Sequence, residues 1–456
     1  MKHLLLLLCA ALAGCASYRP LTLPSEAALV GQASQLQVDV KRMPLAELAT
    51  HPFNPADGLD MTEVAMLAVA NSPELKAMRA AAGVTKAQAF SAGLLPDPQL
   101  ALSRDAVLGS PPGSTVALSA GLAFDLSAFL ARSSARAAAD ADVRKSNLNL
   151  FWQEWQTVAK ARMLFVTVAA LTQSQNLLDA QRQSVCSRLD AADHAMADGL
   201  ITSDMRAPLL TACDDVGRQW RDGERQLSQA RHDLNALLGV APDLALTLSG
   251  DGDLPLLDAR EVHEAIAQAP RWRPDLLALQ AGFEAQDDRY RGALRAQFPA
   301  ITVGPTRSRD TSNVNTVGVS LGIALPLFNR NQGNIAIESA TRDMLHLEYQ
   351  QRLDATASEA HRLLDAQSLL TQQLADIDAS LSALAITTDR ARRAFEANNI
   401  DALTLTAVEG ALLARRLERI TTAQALQEQA IALQALLGTP FNPAGHDARH
   451  PVEKAS

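Results

Sequence analysis

Apolar residues recur at helical spacing along most of the chain, and in two places the period switches to strict alternation and back. From Ser127 to Asp198 the sequence is rich in Ala and contains neither Pro nor Gly. Leu148, Phe151, Trp155, Val158, Phe165 and Val168 follow one another there at helical intervals. The stretch predicts one continuous helix which, at about 1.5 Å per residue, reaches roughly 108 Å. No compact domain contains a helix of that length.

Gly199 interrupts the pattern, and Asp204 to Leu238 returns with about half the needed span. Met61 to Leu95 predicts a second half of equal length that stacks end to end with it. The same design follows downstream: Phe328 to Ala397 forms the long helix, matched by Ala402 to Leu437 plus a helix ending at Phe298. Equal lengths of this kind describe the wall of a tube made of paired helices.

Between the helices lie short alternating runs. Val116, Leu118, Leu122 and Phe124 alternate with Thr115, Ala117, Ser119, Gly121 and Ala123. Val317, Val319, Leu321, Ile323 and Leu325 alternate with Thr316, Gly318, Ser320, Gly322 and Ala324. Each run predicts a strand with one apolar face and one small or polar face. Shorter partner strands are expected near Gln99 to Val107 and Ala300 to Arg307, joined through Gly109-Ser-Pro-Pro-Gly113 and Asp310-Thr-Ser-Asn313.

The chain is therefore written twice. Ser72-Pro73-Glu74-Leu75 recurs as Arg273-Pro274-Asp275-Leu276, Leu95-Pro96 as Phe298-Pro299, and Gly121-Leu122-Ala123 as Gly322-Ile323-Ala324. Leu234-Asn-Ala-Leu-Leu-Gly239 recurs as Leu433-Gln-Ala-Leu-Leu-Gly438, and all four offsets are close to roughly 200 residues. The predicted division is a first repeat over 61–239, a linker over 240–258, a second repeat over 259–438 and a tail over 439–456.

Composition narrows the partners. Of 456 residues 48% are apolar, which excludes disorder, and 50 acidic against 41 basic side chains give a net charge of −9. Nothing supplies the basic field that a nucleic acid needs. The only long uncharged apolar run is Leu4 to Ala13, too short to span a bilayer. It follows Lys2 and ends in Leu12-Ala13-Gly14-Cys15, the layout of a secretory signal. Leu-Ala-Gly-Cys resembles a bacterial lipobox, with residues 1–14 removed, Cys15 lipidated, and 15–60 forming an anchored extension. Ala16 and Ser17, in place of an Asp after the Cys, resemble lipoproteins sorted to the outer membrane.

Two hairpins make four strands, which cannot close a barrel with an interior. An apolar-out, polar-in alternation nevertheless suits a lipid-facing barrel, whose open edges other copies of the chain would complete, twelve strands from three chains. Alternation alone favours two ordinary hairpins covering a soluble core, since it is generic to half-buried sheets; the length of the helices turns the reading to the barrel.

Taken together, residues 60 to 438 resemble the TolC-like outer-membrane efflux family, trimeric channel-tunnels built from a duplicated helix-strand-strand-helix-helix unit. Ala92-Gly-Leu-Leu-Pro-Asp-Pro98 and Pro326-Leu-Phe-Asn-Arg-Asn-Gln-Gly333 look most like the cation-efflux branch serving resistance-nodulation-division pumps. The resemblance implies a mainly α chain with a small β part, a homotrimeric 12-stranded barrel on a long periplasmic helical barrel, and docking to a periplasmic adaptor and an inner-membrane pump. It implies conduction, with no catalytic residue and no cofactor. Ducts for drugs or polypeptides share the same tube, and a periplasmic coiled-coil scaffold would share the helices.

The two hairpin tips, Ala197 to Asp204 and Ala397 to Leu403, are the expected docking and gating region. The resemblance makes Gly199 and Leu200 part of an adaptor groove, with Asn399 and Ile400 as their counterparts in the second copy. Asp198, Asp204 and Asp401 lie on or beside the tips, where symmetry copies would build acidic rings; Asp204 and Asp401 equally fit first-turn acids at helix N-termini. Asn329 and Asn331 are expected to cap the second long helix. Cys186 and Cys213 are equidistant from the first hairpin's centre and so share one height; helix rotation decides whether they bridge. Gly318-Val-Ser320-Leu-Gly322 fits a hydrolase pattern but sits inside an alternating strand, and the scattered His residues show no metal-ligand spacing.

Overall fold

The computed structural model describes residues 18–106, 108–109, 113–250, 252 and 254–438. After a short helix α1 (Ala46–Thr50), the first repeat runs α2 (Met61–Asn71), α3 (Pro73–Ala92), β1 (Gln99–Asp105), β2 (Ala117–Asp125), α4 (Leu126–Ala197) and α5 (Ser203–Leu238). The second runs α6 (Ala259–Trp272), α7 (Pro274–Arg295), β3 (Ala300–Arg309), β4 (Asn315–Ala324), α8 (Gln332–Glu396) and α9 (Ala402–Leu437). The chain is mainly helical with one small sheet. Among the described residues no helix is long and apolar enough to cross a membrane.

Helix α4 contains 72 residues and α8 contains 65, whereas α5 and α9 contain 36 each. Their ends are chemically marked in both copies. Asp60 and Glu63 close a reciprocal capping box on α2, and Asp258 and Glu261 do the same on α6. Gly239 and Gly438, with φ of 64° and 68°, end α5 and α9 in the left-handed conformation that a side chain resists.

One expectation fails in both copies. Met61 to Leu95 is not a single helix, because Pro73 has no N–H to give the preceding turn; the chain breaks at Ser72, whose hydroxyl instead accepts from Leu75 N at 3.5 Å. Arg273-Pro274 breaks the second copy likewise. Only α3 continues the line of α5, which ends against the break, with Gly239 beside Asn71 and Pro73. The remaining length is bridged by extended chain ahead of β1, held where Arg132 of α4 donates to the Gly93 carbonyl at 2.8 Å. Pro96, Pro98 and Pro299 sit in these helix-to-strand passages.

Set off by this break, α2 enters the main core. Val64 through Val69 are almost wholly buried among Trp155, Val158 and Phe165 of α4, Leu234 and Leu238 of α5, and Ile431 of α9. The segment before α2 contributes Leu36, Leu45 and Leu48, and its α1 carries Glu47, which pairs at 3.2 Å with Arg162 of α4, only 3% exposed. This belt forms where α4, α5 and α9 pass, and α6 builds a smaller cluster against α8 and α9 with Val262, Leu363 and Leu433.

The capping expectation for the second long helix also needs correction. Asn331 lies just before α8 but in the left-handed region at φ 55°, and its side chain gives no capping bond. Its Nδ2 donates instead to Ala293 O at 2.8 Å, tying the start of α8 to α7. Asn329 serves through its carbonyl, which accepts from Gln332 N at 2.9 Å.

The strands form one antiparallel sheet in the order β1-β2-β3-β4. Leu100 faces Leu122, Phe124 faces Val303, and Val303 faces Leu321, so the apolar positions of all four strands share one face. The other face carries Ser103, Ser119, Gly121, Thr302, Gly304, Ser308, Thr316 and Ser320. The ladder between β2 and β3 lapses opposite Gly304 and Pro305, since Pro305 has no donor. The outer edges of β1 and β4 have no strand beside them among the described residues.

Candidate functional site

At the first tip α4 ends at Ala197, and Asp198 follows as its C-terminal boundary residue. Gly199 takes φ 72°, which lets Leu200 N reach back to Ala195 O at 2.8 Å and close the turn. Leu200 is left 76% exposed, while Ile201 turns inward against Leu189, Ala192 and Leu209.

The second tip closes in the same way but one residue earlier than the sequence comparison implied. Asn398, not Asn399, is left-handed at φ 58°, and Asn399 N donates to Ala394 O at 2.8 Å. Asn398 therefore corresponds to Gly199, Asn399 to Leu200, Ile400 to Ile201, and Asp401 to Thr202. The exposed apolar knob of tip one has become a polar Asn in tip two. Short turns are fixed by which residue can adopt positive φ, and Asn does so more readily than most residues that carry a side chain; hydropathy alone misaligned them.

Asp401 is the boundary residue of α9, and its Oδ1 accepts from Thr404 N at 2.7 Å. Hydrogen bonds from the Thr404 side chain and backbone hold its carboxyl below the usual range. Asp204 lies in the first turn of α5, where the Thr202 hydroxyl and nearby backbone N–H groups lower its carboxyl as well. Both positions serve their helix N-termini. Asp198 is exposed at the opposite, C-terminal end of α4.

Cys186 of α4 and Cys213 of α5 form a disulfide, with Cα atoms 5.1 Å apart. Arg206 and Asp193 pair across the same two helices nearer the tip, which holds the Asp193 carboxyl low. Sequence reasoning missed the group that joins the two hairpins. Glu409 of α9, 5% exposed, accepts from Arg188 of α4 and, at 2.9 Å, from Arg392 of α8; Arg188 also donates to Thr406 Oγ1 at 2.7 Å. A single Glu on a helical stripe carries no sequence signal, because the partner that joins the hairpins, Arg188, lies in a helix remote along the chain.

At the far end of the rods, the small and polar face of the sheet forms a concavity of about 270 Å³ bordered by Ser103, Ser119, Gly121, Thr306 and Ser320. Ser103 and Ser119 hydroxyls lie 2.8 Å apart, and those of Ser308 and Thr316 2.6 Å apart. Ser320 donates to Gly304 O at 3.2 Å in mid-strand, far from the sharp turn hydrolase chemistry needs. The opposite face is apolar and bare: Leu100, Leu102, Val317, Val319, Leu321 and Ile323 are all exposed. Large exposed apolar faces mark contact with lipid or another chain. Cys15 lies outside the described residues. Among those described, no three His, Cys, Asp or Glu side chains converge as metal ligands.

Residues 265–439 match the family described as outer membrane efflux protein. That segment is most of the second repeat. The chain is also 27% identical over 230 residues to the cation efflux system protein CusC of Escherichia coli K12, a match covering 48% of this chain and 49% of that protein. It is 25% identical over 176 residues to the probable outer membrane lipoprotein SilC of Salmonella typhimurium, covering 36% and 38%. The chain thus spans about half the length of the curated relatives it matches. A solved CusC structure, described in terms of folding and transmembrane channel formation, superposes with a TM-score of 0.70 over 93% of this chain and 100% of that one, at 18% identity. The fold of that solved structure therefore extends through both repeats.

Proposed function

We propose that three copies of this chain assemble into an outer-membrane efflux channel. Their sheets join edge to edge into a 12-stranded barrel, and their paired helices continue it as a periplasmic tunnel. Lipid on Cys15 tethers the assembly. A periplasmic adaptor grips the helical tips, and an inner-membrane pump of the resistance-nodulation-division type supplies the energy. Heavy-metal cations are the cargo that the likeness to CusC favours.

The observation that carries this reading is the sheet: one exposed apolar face, one small and polar concave face, and two unpaired edges. Unpaired backbone groups are not tolerated in lipid, so such a sheet is stable in a membrane only when neighbours close it. The mechanism is conduction and gating rather than bond chemistry. Glu409 holds the two hairpins of a protomer together near the tips, and an adaptor opens the tunnel by binding the loosened arrangement more tightly. Leu200 in tip one against Asn399 in tip two gives that adaptor two unlike surfaces at the turn itself.

Planar-bilayer recording of the purified full chain tests this. Discrete conductance steps are expected, and their absence refutes a channel. Deletion in the host should raise sensitivity to metal cations; unchanged metal tolerance with a new drug sensitivity would reassign the cargo.

A further inference from the structure

We infer that the apolar face of the sheet carries, beside its hairpin turns, a site for the phosphate of a lipid headgroup formed by Arg104, Arg307 and Arg309. The inference rests on reading the sheet as the wall of a membrane barrel.

The strand register places all three on the face of Leu100, Leu122, Val303 and Leu321. Arg104 lies opposite Leu118, and Leu118 lies opposite Arg309. Two strand spacings put Arg104 and Arg309 about 10 Å apart at the backbone, and Arg307 lies about 7 Å from Arg309 along β3. Among the described residues they are the only charged ones on that face, and all occupy the rows next to the turns. Every row nearer the helices is apolar or Pro.

These guanidinium groups lack counter-charges. None of the three makes an ion pair among the described residues, whereas most arginines lining the helices have a carboxylate partner. Arg309 Nη2 reaches the Val116 carbonyl at 3.3 Å, and its Nε is buried without an acceptor. Nearby acids are committed elsewhere: Asp105 alternates to the other face, and Asp310 accepts from Ser312 N and Val314 N at 2.9 Å. The residues joining β1 to β2, from Ala106 to Val116, contain no acid at all.

Unpaired arginines on a lipid-facing surface are costly at mid-bilayer and tolerated at the headgroup level, where long side chains extend to the interface. A phosphate there accepts two parallel N–H bonds from one guanidinium and satisfies several charges at once, as a zwitterionic headgroup with its own cation cannot do as well. The exposed leucines and valines below would receive the acyl chains of the same lipid.

Native mass spectrometry of the full chain reconstituted in phosphatidylcholine vesicles tests the site, with bisphosphorylated or dephosphorylated lipid A added. The wild type should retain the phosphorylated form at least about tenfold more, a preference abolished in the combined Arg104→Gln, Arg307→Gln, Arg309→Gln variant. Equal retention of the two lipids, or a variant that keeps the preference, overturns the site. Displacement by inorganic phosphate at equal concentration overturns the lipid assignment. If the combined variant fails to insert, Arg104→Gln and Arg309→Gln singly should each cut retention about threefold, and unchanged retention in both overturns the site. Wild-type protein that neither inserts nor conducts would sink the barrel reading itself, separately from the lipid site.

Discussion

Glu409 is buried between two arginines from different helices, so removing its carboxylate leaves Arg188, only 13% exposed, facing no anion. Breaking a buried pair from one side costs about 3 kcal/mol. Glu409→Ala should therefore loosen the tips and raise the open probability in single-channel recordings. Unchanged gating would mean that the hairpins are held by other contacts. Gly304 makes a different demand: a Cβ there would sit 1.5 Å from the Leu122 carbonyl oxygen, a backbone atom that cannot swing aside. Gly304→Ala should cost about 3 kcal/mol or more and deplete assembled protein in membrane extracts. Neither residue was legible in the sequence, because each matters through a neighbour remote along the chain.

The long elements were more legible than the joints. The sequence placed the first long helix at Ser127 to Asp198 and the structure shows it at Leu126–Ala197, since uninterrupted helical periodicity over that distance has no competing explanation. The break at Ser72 was not read, although Pro73 was in view, because the apolar pattern runs through it unbroken. The tip register was missed by one residue for a related reason: positive φ at Asn398 is a backbone property to which hydropathy is blind. The disulfide depended on helix rotation, which equidistance from the turn does not reveal.

Two predictions belong to these hairpins. Cys186→Ser with Cys213→Ser removes a cross-link spanning 27 residues, worth at most about 3.5 kcal/mol in loop entropy. Hydrogen exchange should accelerate around the first tip alone, where the cross-link lies, with the second as the internal control. Acid should loosen both tips. The Asp204 and Asp401 carboxyls are lowered from 3.8 in the folded chain. Their stabilisation is therefore complete above the unfolded value and lost as pH falls through the depressed ones. Proteolysis at the tips by an acid-active protease should rise below pH about 4, and Asp401→Asn should remove much of that dependence at the second tip.

At the scale of the molecule, the chain keeps a buried belt around α2 and exposes an apolar sheet at one end of rods that reach about 108 Å in α4. A single copy leaves that sheet open at β1 and β4. In the assembly we propose, its stability as a membrane structure depends on siblings, and so does any lumen lined by Ser103, Ser119 and Ser320. Native mass spectrometry of protein extracted from outer membranes in mild detergent measures this dependence directly. Complexes of three chains are the expected result; a stable single chain inserted in the membrane, or any other stoichiometry, would contradict it.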